Sequence, residues 1–117
     1  MDCNTVRRKS LLFARRIVFA SRHLRDIKGE YILTKQLVRS GTSIGANIAE
    51  AQYGSSRKDF LNKLYIALKE CAETLYWLEL LHMCDYFTDA EYDSLYQDCE
   101  ELRKMLSAIT KTTKESL

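Results

Sequence analysis

Gln36-Leu37-Val38-Arg39-Ser40-Gly41-Thr42-Ser43-Ile44-Gly45-Ala46-Asn47-Ile48-Ala49-Glu50-Ala51 is the stretch whose reading decides the fold. With Leu33 just upstream, Leu37, Ile44, Ile48 and Ala51 recur at the spacing of one helix face. They predict a helix that starts between Glu30 and Thr34 and runs to about Tyr53 (residues 32–53). Gly41 and Gly45 oppose this, because each costs about 1 kcal/mol against alanine inside a helix. Both are four-residue neighbours on one face with Ala49, and small residues in that register let another backbone approach closely. A phosphate-cradling loop is the competing reading of these glycines. It fails, because neither the Walker spacing nor a Gly-Lys-Ser/Thr ending follows.

Helical periodicity continues on both sides. Val6, Phe13, Ile17, Ala20 and Leu24, with Ser10 filling the gap, predict a first helix over residues 5–25, stopped at Lys28-Gly29. Downstream, Gly54-Ser55-Ser56 opens a third helix over residues 56–84, with Ser56 and Asp59 placed as a capping box and Ser55 as the alternative cap. Phe60, Leu64, Ala67, Cys71, Leu78 and Leu81 form one seam of it, and Leu61, Leu68, Ala72 and Leu75 a second. Two seams suit a helix with two neighbours. Thr88 and Glu91 form a clearer capping box, with Phe87 set to staple onto Tyr92, and they start a fourth helix over residues 89–112. Its seam is Tyr92, Leu95, Cys99, Leu102, Leu106 and Ile109. The polar tail TKTTKESL that follows is expected to fray.

Four helices of this length joined by short links predict an all-α, antiparallel up-down-up-down four-helix bundle. A long helical hairpin that completes its core only by association is the structural alternative. The whole chain, residues 1–117, fits a single domain, and a domain this small gains by association with copies of itself. Apolar residues make up 46% and charged residues 29%, which is ordinary for a folded globule, while the absence of proline suits long helices. No apolar run is long enough to span a membrane, and Arg15 and Arg16 interrupt any signal-like core near the start. The four cysteines lack C-x-x-C spacing, and two lie on seams, so a cytoplasmic chain with reduced thiols is expected.

Catalytic chemistry has little to work with. Two histidines, scattered cysteines and no nucleophile elbow leave no triad to assemble. Glu79-Leu80-Leu81-His82 has the Glu-x-x-His spacing of di-iron bundles, but it occurs once, and His23 has Ala20 where a second motif needs a glutamate. A small metal-binding bundle using Glu50, Glu79 and His82 is therefore the weakest of the functional readings. No cofactor, metal site or catalytic residue is assigned.

Charge is more informative. Residues 1–54 carry ten Lys/Arg against four Asp/Glu, and residues 55–117 carry eight against twelve. Within the first helix, Arg8, Arg15 and Arg22 stand seven apart, as do Lys9, Arg16 and His23. No carboxylate lies between Thr5 and Arg25. Such a stripe is suited to a phosphate backbone, although a solvated face is the commoner use of charge. No base-reading motif accompanies it.

The central stretch also supports a family resemblance. Its Ser43-Ile44-x-x-Asn47-Ile48-Ala49-Glu50 core, followed by the Phe60, Ala67-Leu68, Glu73, Leu78-Glu79 pattern, resembles a bacterial four-helix-bundle family. That family was first noticed as reading frames in intervening sequences of large-subunit ribosomal RNA genes. Its members often place glycine where this chain has Ala51. The resemblance covers about Arg15 to Leu106. It implies a four-helix bundle, assembly into a ring-like homopentamer, and kinship with retroelement accessory proteins that bind a reverse transcriptase and nucleic acid through basic surfaces. Arg39, Ser43, Asn47 and Glu50 are its motif positions, with structural roles expected.

Two readings therefore lead. One is a non-enzymatic homo-oligomeric module that contacts RNA, DNA or a nucleic-acid enzyme through Arg8, Lys9, Arg15, Arg16 and Arg22. The other is an interaction scaffold without nucleic-acid affinity, whose charge asymmetry serves assembly.

Overall fold

The computed structural model describes residues 3–117; Met1 and Asp2, part of the single domain expected from the sequence, lie outside the described residues. Four α-helices follow in order: α1 (Cys3–Asp26), α2 (Ile32–Ala51), α3 (Arg57–Met83) and α4 (Asp89–Glu115). Each helix packs on its chain neighbour, α1 also packs on α4, and the diagonal pairs do not meet. Short links force each helix to reverse direction, so the expected up-down-up-down bundle forms, 47 Å long and 22 by 19 Å across. The antiparallel register is visible in the cross-helix bonds. Thr74 donates to Ser40 between α3 and α2, and Cys99 contacts the Cys71 carbonyl between α4 and α3.

The seams fill the core. Val6, Phe13, Ile17 and Leu24 from α1 meet Leu37, Ile44 and Ile48 from α2, Leu64, Cys71, Leu78 and Leu81 from α3, and Leu95, Cys99, Leu102 and Leu106 from α4. The α1–α2 interface is closest at the small residues. A methyl group added at Gly41 would stand 2.9 Å from Ile17 Cγ2, and one at Gly45 would stand 3.1 Å from Ser10 Oγ. The glycines thus remove side chains where α1 crosses α2, and this contact offsets their poor helix propensity.

Each helix end has a local cause. Gly29 adopts φ +69° after α1, and the Glu30 amide reaches back to the Leu24 carbonyl at 2.9 Å, which closes the end of the helix. Thr88 and Glu91 form the full reciprocal capping box. Ser56 forms half of one. Its hydroxyl accepts from the Asp59 amide, but Asp59 turns its carboxylate to the Ser55 hydroxyl instead. The fourth helix corrects the expectation of a frayed tail, for it runs on to Glu115. Thr110 is buried, the Thr110 and Thr113 hydroxyls bond back to Ser107 and Ile109 carbonyls, and Arg57 donates to Ser116. Along α3, Leu61 of the second seam is buried and Leu68 and Leu75 are half-buried, but Ala72 faces solvent.

Asp85 ends α3 with φ 66°, the left-handed region in which glycine is least strained. Asp85→Gly is expected to raise stability by about 0.5–1 kcal/mol in thermal unfolding. A loss of stability would mean that the aspartate side chain contributes more than its backbone costs.

Candidate functional site

Helix α1 lays its inner face on α2 and α4 and turns the opposite face outward. At about 100° per residue, Arg8, Arg15 and Arg22 line the crest of that outer face. All three are exposed and have no ion-pair partner among the described residues. Leu12 and Phe19 flank the crest on the α4 side, and Leu11 flanks it on the α2 side. These apolar residues are also exposed: Leu11 by 64%, Leu12 by 39% and Phe19 by 56%. The Arg22 guanidinium lies 5.5 Å from the centroid of the Phe19 ring, within cation–π range.

The other half of the basic stripe is differently placed. Lys9 forms an ion pair with Glu101 of α4. Arg16 pairs with Asp98 at 2.5 Å and donates to the Ser94 hydroxyl at 2.9 Å. The absence of carboxylates between Thr5 and Arg25 therefore does not leave the whole stripe unpaired, because α4 supplies them across the seam. His23 lies on the same flank, where the groove continues past Phe87 and Glu91. Two shallow grooves, of about 220 and 240 Å³, follow this α1–α4 seam on either side of Arg16. Both fall below the roughly 300–1,000 Å³ of ordinary small-molecule pockets. The site is a ridge with shallow flanks, suited to an extended anionic surface.

The motif residues of α2 gather on a different edge, the one that faces α3. Arg39 pairs with Glu73 and, at 3.4 Å, with Glu70. Glu73 in turn accepts from the Trp77 indole N–H at 2.9 Å. That indole and the Arg39 guanidinium hold the Glu73 carboxyl below the usual carboxylate range, and Glu73 keeps the Arg39 pKa raised. The Ser43 hydroxyl bonds to the Arg39 carbonyl at 2.6 Å, the Asn47 amide to the Ser43 carbonyl at 2.8 Å, and Glu50 lies 3.7 Å from Lys63. Each of the four motif side chains thus has a partner within its own helix or on α3.

The residues considered for metal chemistry do not come together. Glu50 faces Lys63, whereas His82 bonds to Asp89 at 2.7 Å and stacks on Tyr92 at the far end of α3. Among the described residues no group of three His, Cys, Asp or Glu side chains is placed to hold a metal ion. Cys99 is buried against Cys71, and both that contact and the burial push its thiol pKa up, away from thiolate reactivity. Among the described residues no helix is long and apolar enough to cross a membrane.

Three features of these surfaces do not follow from helix periodicity alone. The α4 partners Asp98 and Glu101 were visible only as carboxylates three apart on a helix that closes the bundle against α1. The Glu73–Trp77 support of Arg39 had a signal in the four-residue spacing of Glu73 and Trp77. The exposed Phe19 and Leu12 could have been found from their places between the crest arginines, at 8, 12, 15, 19 and 22.

Comparison with known proteins gives a consistent result. A family model described as 23S rRNA-intervening sequence protein matches residues 3–108. A solved structure from Bacteroides thetaiotaomicron, described as a protein of unknown function from the S23 ribosomal protein family, is 51% identical. The match covers 95% of this chain and 99% of that one, with a TM-score of 0.93. No curated protein matches the chain.

Proposed function

Because the chain belongs to the 23S rRNA-intervening sequence protein family, whose name states no activity, we propose its function from the α1 ridge. The protein is a non-enzymatic, self-associating helical module that binds nucleic acid through Arg8, Arg15 and Arg22. One observation carries this reading: three exposed guanidiniums at heptad spacing, unpaired among the described residues, on a face whose one carboxylate within α1 is Asp26 at its C-terminal end. Lys9 and Arg16, which the sequence grouped with them, serve first to hold α1 to α4. Affinity on such a ridge comes mainly from counterion release, so it is expected to be salt-dependent and largely indifferent to base sequence.

Self-association is supported by α3, whose outer side carries Ile66 (41% exposed), Tyr76 (57%) and Met83 (72%) beside the half-buried Tyr65 and Leu68. Exposed apolar side chains grouped in this way, among the polar Asn62, Lys69 and Glu79, suit a contact with another protein surface. A ring of the homopentameric type would cover this face and repeat the α1 ridge around the assembly. The scaffold reading draws on the same face and differs in leaving α1 without a polyanion.

Fluorescence anisotropy with mixed RNA and DNA oligonucleotides, paired with light scattering after size exclusion, tests the proposal. At low salt the native protein binds. The triple variant Arg8→Glu/Arg15→Glu/Arg22→Glu is expected to lose at least about 100-fold in affinity, and its salt slope falls by about 0.7–0.9 for each phosphate contact removed. A variant that is folded and binds as before would sink the nucleic-acid reading in favour of the scaffold. A particle mass equal to the 13.6 kDa chain would sink self-association.

A further inference from the structure

We propose that the α1 ridge takes an unpaired nucleic-acid strand in preference to a duplex, with Phe19 as the platform on which a base stacks. The inference rests on the nucleic-acid reading above and narrows its substrate class. Two features of the ridge carry it.

The first is alternation. At about 1.5 Å rise per residue, the crest arginines are roughly 10.5 Å apart and span roughly 21 Å. Along the helix axis Leu12 falls between Arg8 and Arg15, and Phe19 between Arg15 and Arg22, both set toward α4, so an apolar row runs beside the row of charge in alternating heights. A duplex turns its phosphates outward and keeps its bases stacked inside, so it has nothing to place on Leu12 or Phe19. An unpaired strand presents phosphates and base faces together, and aromatic rings and guanidinium planes are the surfaces that receive such bases. The Arg22 guanidinium over the Phe19 ring supplies both kinds of surface at one point.

The second is width. The basic strip is one helix wide. On the α4 side it ends at Asp98 and Glu101, with Glu91 farther along the same seam. On the α2 side it meets the uncharged Thr42, Ala46 and Ala49. A duplex is broader than a helix crest, so a strand laid over α4 would bring phosphates towards carboxylates. A single strand can follow the crest alone.

The test uses the full chain with a labelled 20-nucleotide uridine-rich RNA and a blunt RNA duplex of the same length, at several salt concentrations. The native protein is expected to bind the strand at least about tenfold more tightly than the duplex. Phe19→Ala is expected to weaken strand binding by about tenfold and leave duplex binding within about twofold. Phe19→Trp keeps the strand affinity, and thermal unfolding establishes that both variants are folded at the assay temperature. Equal or tighter duplex binding overturns the inference, as does a Phe19→Ala variant that binds the strand normally. A poly-glutamate peptide bound as tightly as the strand, with the same dependence on Phe19, overturns it as well. The broader reading fails separately, through the triple charge reversal: loss on reversal without any Phe19 effect sinks the stacking platform alone.

Discussion

Gly41→Val is expected to destabilise the bundle by about 3 kcal/mol, and Gly41→Ala by a smaller amount, although both residues are better helix formers than glycine. The cause lies across the α1–α2 interface. A Cβ at position 41 would stand 2.9, 3.0 and 3.3 Å from Cγ2, Cγ1 and Cβ of Ile17. These atoms sit close to the α1 backbone on a β-branched side chain that is fully buried and has essentially one rotamer in a helix. The neighbour therefore cannot swing aside, and the helices must separate or twist. Overpacking of this kind typically costs 1–3 kcal/mol and occasionally more, against roughly 1 kcal/mol or less of propensity gained. Denaturant unfolding of Gly41→Ala, Ile17→Ala and the double variant decides the matter. The double variant is expected to be more stable than the sum of the two losses implies, because the shortened Ile17 makes room. A Gly41→Ala protein more stable than the native one would show that the interface relaxes, and the close-approach account would fall.

Glu30→Gln carries the second large effect, a loss of about 2–3 kcal/mol near neutral pH. Glu30 is 7% exposed and caps α2 from just outside the helix. Its carboxylate accepts from the backbone amides of Ile32, Leu33 and Thr34 at 3.1, 2.9 and 2.7 Å, and from the Thr34 hydroxyl at 2.6 Å. Burial acts to raise its pKa, but the Thr34 hydroxyl and the three amides outweigh it and hold the carboxyl below its ordinary value of 4.5. An amide in its place offers one acceptor oxygen and turns an N–H2 toward donors. The sign with pH follows from the lowered pKa. The contribution is fully present above the unfolded value and is lost as pH falls through the folded one. The gap in unfolding free energy between native protein and Glu30→Gln should therefore be wide at pH 7 and narrow toward pH 3. Glu73, Glu91 and Glu100 are lowered too, so the native protein alone will lose stability in acid for several reasons. The difference between the two proteins isolates Glu30. A gap that stays constant with pH would remove the carboxylate from the account.

How much of this was legible beforehand depended on distance along the chain. The four seams, the Gly29 stop and the Thr88–Glu91 box follow from residues within a few positions of one another, and they stand where the sequence places them. Glu30 was passed over because cap patterns look for a short polar side chain at the residue next to the helix. That residue is Tyr31, which caps nothing with its side chain. Thr110 and Thr113 look like tail residues, yet their hydroxyls close on carbonyls of the preceding turn and extend α4. The largest revision concerned the basic stripe. Lys9 and Glu101 are 92 positions apart, and Arg16 and Asp98 are 82 apart. Only the closing of the bundle brings them together, so one helix read alone could not separate the paired cations from Arg8, Arg15 and Arg22.

The same closing contact bears on how the chain reaches its native state. Three of the four helix interfaces join elements adjacent in sequence, each across a short link, so most contacts are local and their loop-closure entropy is small. A chain of this topology folds by stacking successive hairpins, on the fast side of the range for its length. The α1–α4 seam is the exception: it requires the whole chain, is the most sparsely packed of the four, and is held at its surface by two partly exposed ion pairs. It is thus expected to be the last interface to assemble and the first to part, which would make the ridge of α1 the edge of the bundle's most labile joint.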